Sequence, residues 1–151
     1  MPQTPMQSQL YDRDFNLWID DTVAKLKAYQ FDQLDLENLI EEIEALARRD
    51  KREMRSRLRV LLSHLLKRGY VSSPDNFRGW EITIRDQRTE LRDLLRQSPS
   101  LRNYFVEAFD EIWQDVLLEV EEDYAATEFP DACPFPYDVD ALLSERFWEG
   151  D

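Results

Sequence analysis

The stretch Leu36–Tyr70, LENLIEEIEALARRDKREMRSRLRVLLSHLLKRGY, decides the fold of this 151-residue chain. Apolar or small residues recur along it in steps of three and four, which is the period of an α-helix. They are Leu36, Ile40, Ile43, Ala47, Met54, Leu58, Leu61 and Leu65, with Asp50 in the gap. Neither Gly nor Pro occurs before Gly69. The pattern therefore predicts one helix, roughly 50 Å long at 1.5 Å per residue.

Both ends of this long helix carry boundary signals. Asp35 is predicted to be the N-cap, with Leu34 and Leu39 placed as a hydrophobic staple. Gly69 stands where a C′ glycine is expected. Arginines also follow one flank of the apolar seam, at Arg48, Arg52, Arg55 and Arg59.

Three further main helices are predicted. An amphipathic first helix should cover residues 12–29, with Asp20 and Asp21 on its solvent side, and a short connection should place it antiparallel to the long helix. Two Ser-Pro pairs, at 73–74 and 98–99, have the form of an N-cap followed by the first helical residue. They predict a third helix over 74–97 and a fourth from about 101 to 124.

The C-terminal tail is rich in both proline and aromatic residues. We expect it to lie extended over the helices, with one short helix around 139–143. The predicted fold class is therefore all-α: a bundle of four main helices built on one long central helix, with an extended aromatic C-terminal tail. We expect a single domain over residues 11–151 and a loose N-terminus over residues 1–10.

The composition excludes several classes of protein. One cysteine, Cys133, cannot form a disulfide within the chain, and we expect a buried or half-buried free thiol in a reducing cytoplasm. No apolar run reaches the 18 or so residues of a membrane span, and the first residues lack the pattern of a signal peptide. We therefore predict a cytoplasmic protein with no membrane partner.

Charge is distributed unevenly along the chain, whose net charge is −13. Residues 1–47 carry 3 Lys/Arg against 10 Asp/Glu, residues 48–102 carry 15 against 7, and residues 103–151 carry 1 against 15. We expect the basic middle block to face the acidic blocks within the fold. The alternative is that one charged face is used on a partner.

Arg88 falls in the apolar seam predicted for the third helix, among Phe77, Trp80, Ile84 and Leu91. An unpaired charge on an inner face is very costly, so Arg88 should have a carboxylate partner. The candidates are Glu41, Glu42, Glu44 and Asp50.

A wider set of residues resembles a known family. The set is Trp18, Leu34-Asp35, Asn38-Leu39, Glu41-Glu42-Ile43, Ser56-Arg57-Leu58, His64-Leu65-Leu66-Lys67, Trp80, Thr83-Ile84, Gln87-Arg88, Pro99-Ser100-Leu101 and Cys133-Pro134. It is similar to the family called domain of unknown function 29, common in cyanobacteria, from about residue 11 to 148. The resemblance implies a helical cytoplasmic bacterial protein and brings no catalytic residue. Its polar motif positions correspond here to Glu41, Glu42, His64, Lys67, Gln87 and Arg88.

This polar set has three interpretations. The first, which we favour, is a buried network in which Arg88 pairs with glutamates and His64 donates to a carbonyl or carboxylate. The second is a metal-independent ribonuclease, because Arg59 or Arg57 with His64 resembles the Arg-x(4-6)-His motif of HEPN ribonucleases. Val60 departs from the polar residue that those enzymes often carry after the arginine, and a regular helix separates Arg59 and His64 by about 140°.

The third interpretation is a carboxylate metal site. Glu41 and Glu44 are neighbours on a helix face, but the Glu-x-x-His signature of di-iron bundles is absent. His64 would lie about 35 Å along the same helix from Glu41. We therefore expect no metal and no cofactor.

The predicted function is a non-enzymatic cytoplasmic interaction or regulatory helical module, with the HEPN-like ribonuclease as the alternative. The expected partner is another protein, and RNA stays open because the arginine flank could contact phosphates. Duplex DNA is not expected, since most of the surface is acidic. Homodimerisation also stays open.

Overall fold

A computed structural model of the protein describes residues 10–149, and that part of the chain contains helices and no strand. The prediction of a loose N-terminus falls, apart from Leu10, outside the described residues. The helices are α1 (Phe15–Lys27), α2 (Leu36–Tyr70), α3 (Pro74–Gln97), α4 (Leu101–Asp123) and the short α5 (Val139–Ser144), with a 3₁₀ turn at Phe31–Gln33. The predicted all-α class and the long helix are confirmed.

Helix α1 is shorter than the predicted span of residues 12–29. Asp14 interrupts it at the start, because its side chain accepts a hydrogen bond from the backbone N–H of Leu17 at 3.1 Å and so caps α1. Residues 10–13 form a helical turn of their own. The chain leaves α1 through Tyr29, whose φ of 59° is left-handed and stops the helix.

Helix α2 begins as predicted but ends differently. The side chain of Asp35 accepts a hydrogen bond from the backbone N–H of Asn38 at 3.5 Å, the bond of an N-cap. The prediction of Gly69 as C′ residue is wrong, since α2 continues to Tyr70. The backbone N–H of Val71 still donates to the carbonyl of Lys67 at 2.9 Å, so the helical hydrogen bonds pass through Gly69.

The chain divides into two compact units, one ending at Arg49 and the other beginning at Asp50. In the first unit, α1 packs on the first half of α2. Trp18 bonds to Asp35 and Tyr11 bonds to Glu42, so residue numbers rise along one helix as they fall along the other. The predicted antiparallel pairing is confirmed, and we call residues 15–49 the helical hairpin. A single domain over 11–151 stays a prediction.

The second unit contains the hydrophobic core. The second half of α2 contributes six fully buried side chains, and α3, α4, α5 and the tail contribute the others. The buried core residues are Met54, Leu58, Leu61, Leu62, Leu65, Leu66, Ile84, Leu91, Leu95, Leu101, Phe105, Ala108, Phe109, Ile112, Trp113, Val116, Leu117, Val120, Phe135, Val139, Leu142 and Leu143. The tail thus lies on the core and contains one short helix, as predicted.

Ion pairs join the basic middle block to the acidic C-terminal block within the second unit. Arg55 lies 3.2 Å from Glu111, and Arg102 lies 2.6 Å from Asp140. Arg59 contacts both Asp115 and Glu119 of α4. The expectation that charge blocks face one another is therefore confirmed for these two blocks.

Candidate functional site

His64 is half-buried on α2 and faces a backbone acceptor. Its Nδ1 atom lies 2.8 Å from the carbonyl oxygen of Val60. Because a carbonyl oxygen only accepts, Nδ1 carries the proton and donates it. Burial lowers the pKa of His64, and the nearby charge of Lys67 lowers it further, against the raising effect of this hydrogen bond. The neutral imidazole is therefore favoured.

Arg57, one of the two arginines proposed to act with His64, is bound to other polar side chains. It contacts Glu53 at 3.1 Å and Glu90 at 3.6 Å, and donates to Gln87 at 3.3 Å. Arg59, the other candidate, pairs with Asp115 and Glu119. These carboxylates neutralise both guanidinium groups, so ion pairing within the fold explains the presence of both arginines. The ribonuclease hypothesis stays a prediction for an activity assay.

The glutamates proposed for the polar network have local roles in the first unit. Glu41 pairs with Arg48 at 2.8 Å, and Glu44 is exposed. Glu42 accepts a hydrogen bond from the Tyr11 hydroxyl, which raises the pKa of Tyr11 to about 12.

The other proposed members lie in the second unit. Asp50 is half-buried, Lys67 lies 6.0 Å from the ring centre of Tyr124, and Gln87 accepts from Arg57. The members therefore make separate contacts rather than one shared network within either unit.

Arg88 is buried in the α3 seam, as predicted, but its predicted carboxylate partner is wrong. Its Nε donates to the carbonyl of Leu142 at 3.1 Å, and a second nitrogen donates to the carbonyl of Glu145. Arg92 donates to the carbonyl of Leu143. The last carbonyls of a helix have no intrahelical partner and carry partial negative charge, so the end of α5 supplies the oxygen atoms that the guanidinium needs. Burial, followed by repulsion from Arg92, lowers the pKa of Arg88.

Cys133 is free and half-buried, as predicted. Its Sγ atom lies 3.6 Å from the carbonyl oxygen of Phe135. Burial raises the pKa of this thiol, against the lowering effect of the hydrogen bond to Phe135 and with a smaller raising effect from Asp110, so the unreactive protonated form is favoured.

The site that the sequence did not reveal is on the helical hairpin. Trp18 is buried, and its indole N–H donates to Asp35 at 3.2 Å. Asp35 also accepts from the side-chain amide of Asn38 at 2.8 Å. These bonds fix α1 against the start of α2 and leave the apolar side chains beside Trp18 facing outward.

Exposed apolar side chains are concentrated in this hairpin. Among residues 10–149, fourteen large apolar side chains are exposed, and ten of them lie between Phe15 and Leu46. Several border one open groove of about 350 Å³, which we call the hairpin groove. Its lining residues are Phe15, Trp18, Ile19, Thr22, Val23, Leu26, Leu39, Glu42, Ile43, Leu46 and Arg49. The three-to-four spacing of these apolar residues predicts that they face inward. Two packed helices, however, cover only the residues along the line where α1 meets α2.

Two kinds of feature are absent from the part of the chain that the structure describes. No helix in residues 10–149 is long and apolar enough to cross a membrane. No group of three His, Cys, Asp or Glu side chains in the same range is placed to hold a metal ion.

The fold and the groove together define an all-helical protein with an exposed apolar groove on its helical hairpin. The chain belongs to the family described as Domain of unknown function DUF29, whose model matches residues 10–148. This bears out the resemblance seen in the sequence. The chain matches no curated protein and no solved structure at a significant level.

Proposed function

We propose that the protein is a non-enzymatic interaction module whose hairpin groove binds an amphipathic helix of another protein, one with basic residues beside its apolar stripe. The observation that carries the proposal is the concentration of exposed apolar side chains in the hairpin. A bacterial cytoplasmic location is part of the proposal, and the lone half-buried thiol of Cys133 supports it.

The apolar character of the groove supports a helical ligand. Ile43 is 59% exposed, Leu46 is 51% exposed and Phe15 is 43% exposed, although all three lie on regular helices. Leaving such area in water costs about 25 cal/mol per Å². A third helix laid along two antiparallel helices would cover these side chains with its own apolar residues at positions i, i+3, i+4 and i+7.

Charge indicates what should flank that apolar stripe. Residues 10–49 carry 5 Lys/Arg against 10 Asp/Glu, a net charge of −5, while the groove lining itself holds one carboxylate, Glu42, and one guanidinium, Arg49. Lysine and arginine beside the stripe would be attracted by this field. A second copy of the chain would bring the same negative charge, so homodimerisation through this face is disfavoured.

The test uses two designed helical peptides of about 20 residues with the same leucine stripe, one flanked by lysines and the other by glutamates. We expect the basic peptide to bind the intact protein in a fluorescence-anisotropy titration, at least tenfold more tightly than the acidic one. Added salt should weaken this binding, because part of the attraction is between exposed charges.

Matched variants locate the binding. Ile43→Gln should weaken binding of the basic peptide at least tenfold, because it places an amide in the groove. Leu118→Gln is the control, since Leu118 is 68% exposed and lies on α4 in the other unit. Equal binding to both variants would refute the groove as the docking site. A dimer in sedimentation analysis that Ile43→Gln dissociates would assign the face to a second copy instead.

The enzymatic alternative has its own test. Purified protein and a His64→Ala variant are incubated with RNA at several salt and metal concentrations. Our proposal expects intact RNA in both samples. Cleavage by the wild type that the variant loses would establish the ribonuclease and refute the non-enzymatic assignment.

A further inference from the structure

A second cavity lies in the other unit, between α3 and the end of the C-terminal tail. It is an open cleft of about 330 Å³, which we call the arginine cleft. Its lining residues are Arg78, Glu81, Ile82, Ile84, Arg85, Arg88, Arg92 and Trp148. Four of the eight are arginines, in a chain whose net charge is −13.

The sequence spacing of α3 explains why the arginines meet in one cleft. Arg78, Arg85, Arg88 and Arg92 are separated by seven, three and four residues. At about 100° per residue, these steps keep all four within roughly 80° of one another around the helix. One face of α3 is therefore cationic along about four turns.

The positive charge of this face is only partly neutralised by the residues around it. Glu81 is the one carboxylate of the lining, and it is bound by the buried Arg68 at 2.9 Å. Arg85 contacts Asp86 at 3.1 Å, but both side chains are more than half exposed, so the pair is weak. Arg88 and Arg92 donate to uncharged backbone carbonyls, which satisfy hydrogen bonds without cancelling charge.

The lining also offers more donors than acceptors. A guanidinium has five N–H groups, and the bonds to the tail use two from Arg88 and one from Arg92. The indole N–H of Trp148 is buried and has no acceptor within residues 10–149. A ligand that supplies several acceptor oxygens and negative charge would accept hydrogen bonds from the remaining guanidinium N–H groups and offset their positive charge.

We propose that the arginine cleft binds the phosphate group of a small anionic ligand, either free phosphate or a phosphate monoester. Planar guanidinium groups match the spacing of two phosphate oxygens, and a doubly charged phosphate can use several of them. The volume falls in the range of small-molecule sites. The bonds from Arg88 and Arg92 to the tail preorganise the cleft, since they fix both side chains before a ligand arrives.

The experiment titrates the intact protein with inorganic phosphate and with adenosine monophosphate at constant ionic strength, balanced with chloride. Binding is followed by tryptophan fluorescence, because Trp148 lines the cleft, and by calorimetry. We expect saturable binding of both probes. Arg78→Gln and Arg85→Gln, singly and together, should weaken it, at least tenfold in the double variant. Both side chains are largely exposed, so the variants should fold, and circular dichroism verifies this.

The control is Arg52→Gln, an exposed arginine of α2 outside the lining, which makes the same change of charge. Its affinity for phosphate should equal that of the wild type. The proposal is overturned if phosphate gives no saturable signal, if acetate binds equally well, or if all variants respond alike. Binding of a short RNA that phosphate does not compete away would also overturn it.

Discussion

Apolar residues recur with the same helical spacing in both halves of α2, but they are exposed in the first half and buried in the second. In the first half, Ile40 and Ile43 are 52% and 59% exposed. In the second half, Leu58, Leu61 and Leu65 are 0% exposed. The difference follows from the number of elements in each compact unit. The second half has α3, α4 and α5, whereas within residues 10–49 the first half has α1 as its one long partner. A helical period therefore identifies the apolar face, while the other elements decide whether that face is covered.

The difference in burial between the two halves of α2 is tested most directly by shortening one apolar side chain in each half. Leu65→Ala should lower the free energy of unfolding by about 2–5 kcal/mol, because it leaves a cavity in a fully buried core. Ile43→Ala should change it by less than about 0.5 kcal/mol, since that side chain already meets water. Urea denaturation, followed by circular dichroism, measures both.

Equal destabilisation by the two substitutions would contradict the comparison. It would mean that Ile43 is covered in the isolated protein, for example by self-association. Repeating the measurement at several protein concentrations separates these cases, because the stability of a dimer depends on concentration.

Much of the fold could be predicted from local sequence. The start of α2 is marked by its N-cap Asp35, and the start of α3 by Pro74, its first residue, although Ser73 makes no side-chain capping bond. The second Ser-Pro pair predicts the wrong cap, since Ser98 ends α3 and α4 begins at Leu101 after Ser100. The end of α2 could not be placed by Gly69 alone, because glycine permits a left-handed turn without requiring one.

The partners of the polar residues were harder to predict. Arg88 was correctly placed on an inner face, but its acceptors are carbonyls more than fifty residues away, and any residue type carries a carbonyl. The hairpin groove was missed for a related reason. Periodicity reports which residues share a face, and only the three-dimensional arrangement shows what lies opposite it.

The tail helps to cover the buried half of α2, to which it contributes the core side chains of Leu142 and Leu143. Arg88→Ala removes the hydrogen bonds that hold the end of α5 and leaves its carbonyls without their donors. We expect a loss of about 1–3 kcal/mol. Faster amide hydrogen exchange should appear first in residues 139–148, because they would open before the rest of the unit.

Arg96→Ala is the matched control, because Arg96 lies on the same helix with its side chain 77% exposed. Its substitution should leave exchange in residues 139–148 unchanged. If Arg88→Ala accelerates exchange evenly across the unit, Arg88 stabilises the core as a whole and has no particular role in the tail.

The smallest effect is expected from the titration of His64 and its contribution to the pH dependence of stability. His64 is only half-buried, although its neighbours Leu61 and Leu65 are fully buried. Burial lowers the pKa of the folded imidazole below its ordinary value. Above about pH 6.5, both the folded and the unfolded imidazole are neutral, so His64 brings no pH dependence. As the pH falls below that value, the unfolded chain takes up the proton more readily, and stability is lost until the folded imidazole is also protonated.

Carboxylates also titrate as the solution becomes more acidic, so the wild type alone cannot isolate this contribution. His64→Gln removes the titrating group and keeps a side chain that can donate to the carbonyl of Val60. Unfolding free energies of both proteins should therefore run parallel from pH 8 to about 6.5 and diverge below it, with the wild type losing stability faster. A wild type that gains stability relative to His64→Gln on acidification would mean that the folded protein favours the imidazolium. The second half of α2 would then be more accessible to water near His64 than the core around it indicates.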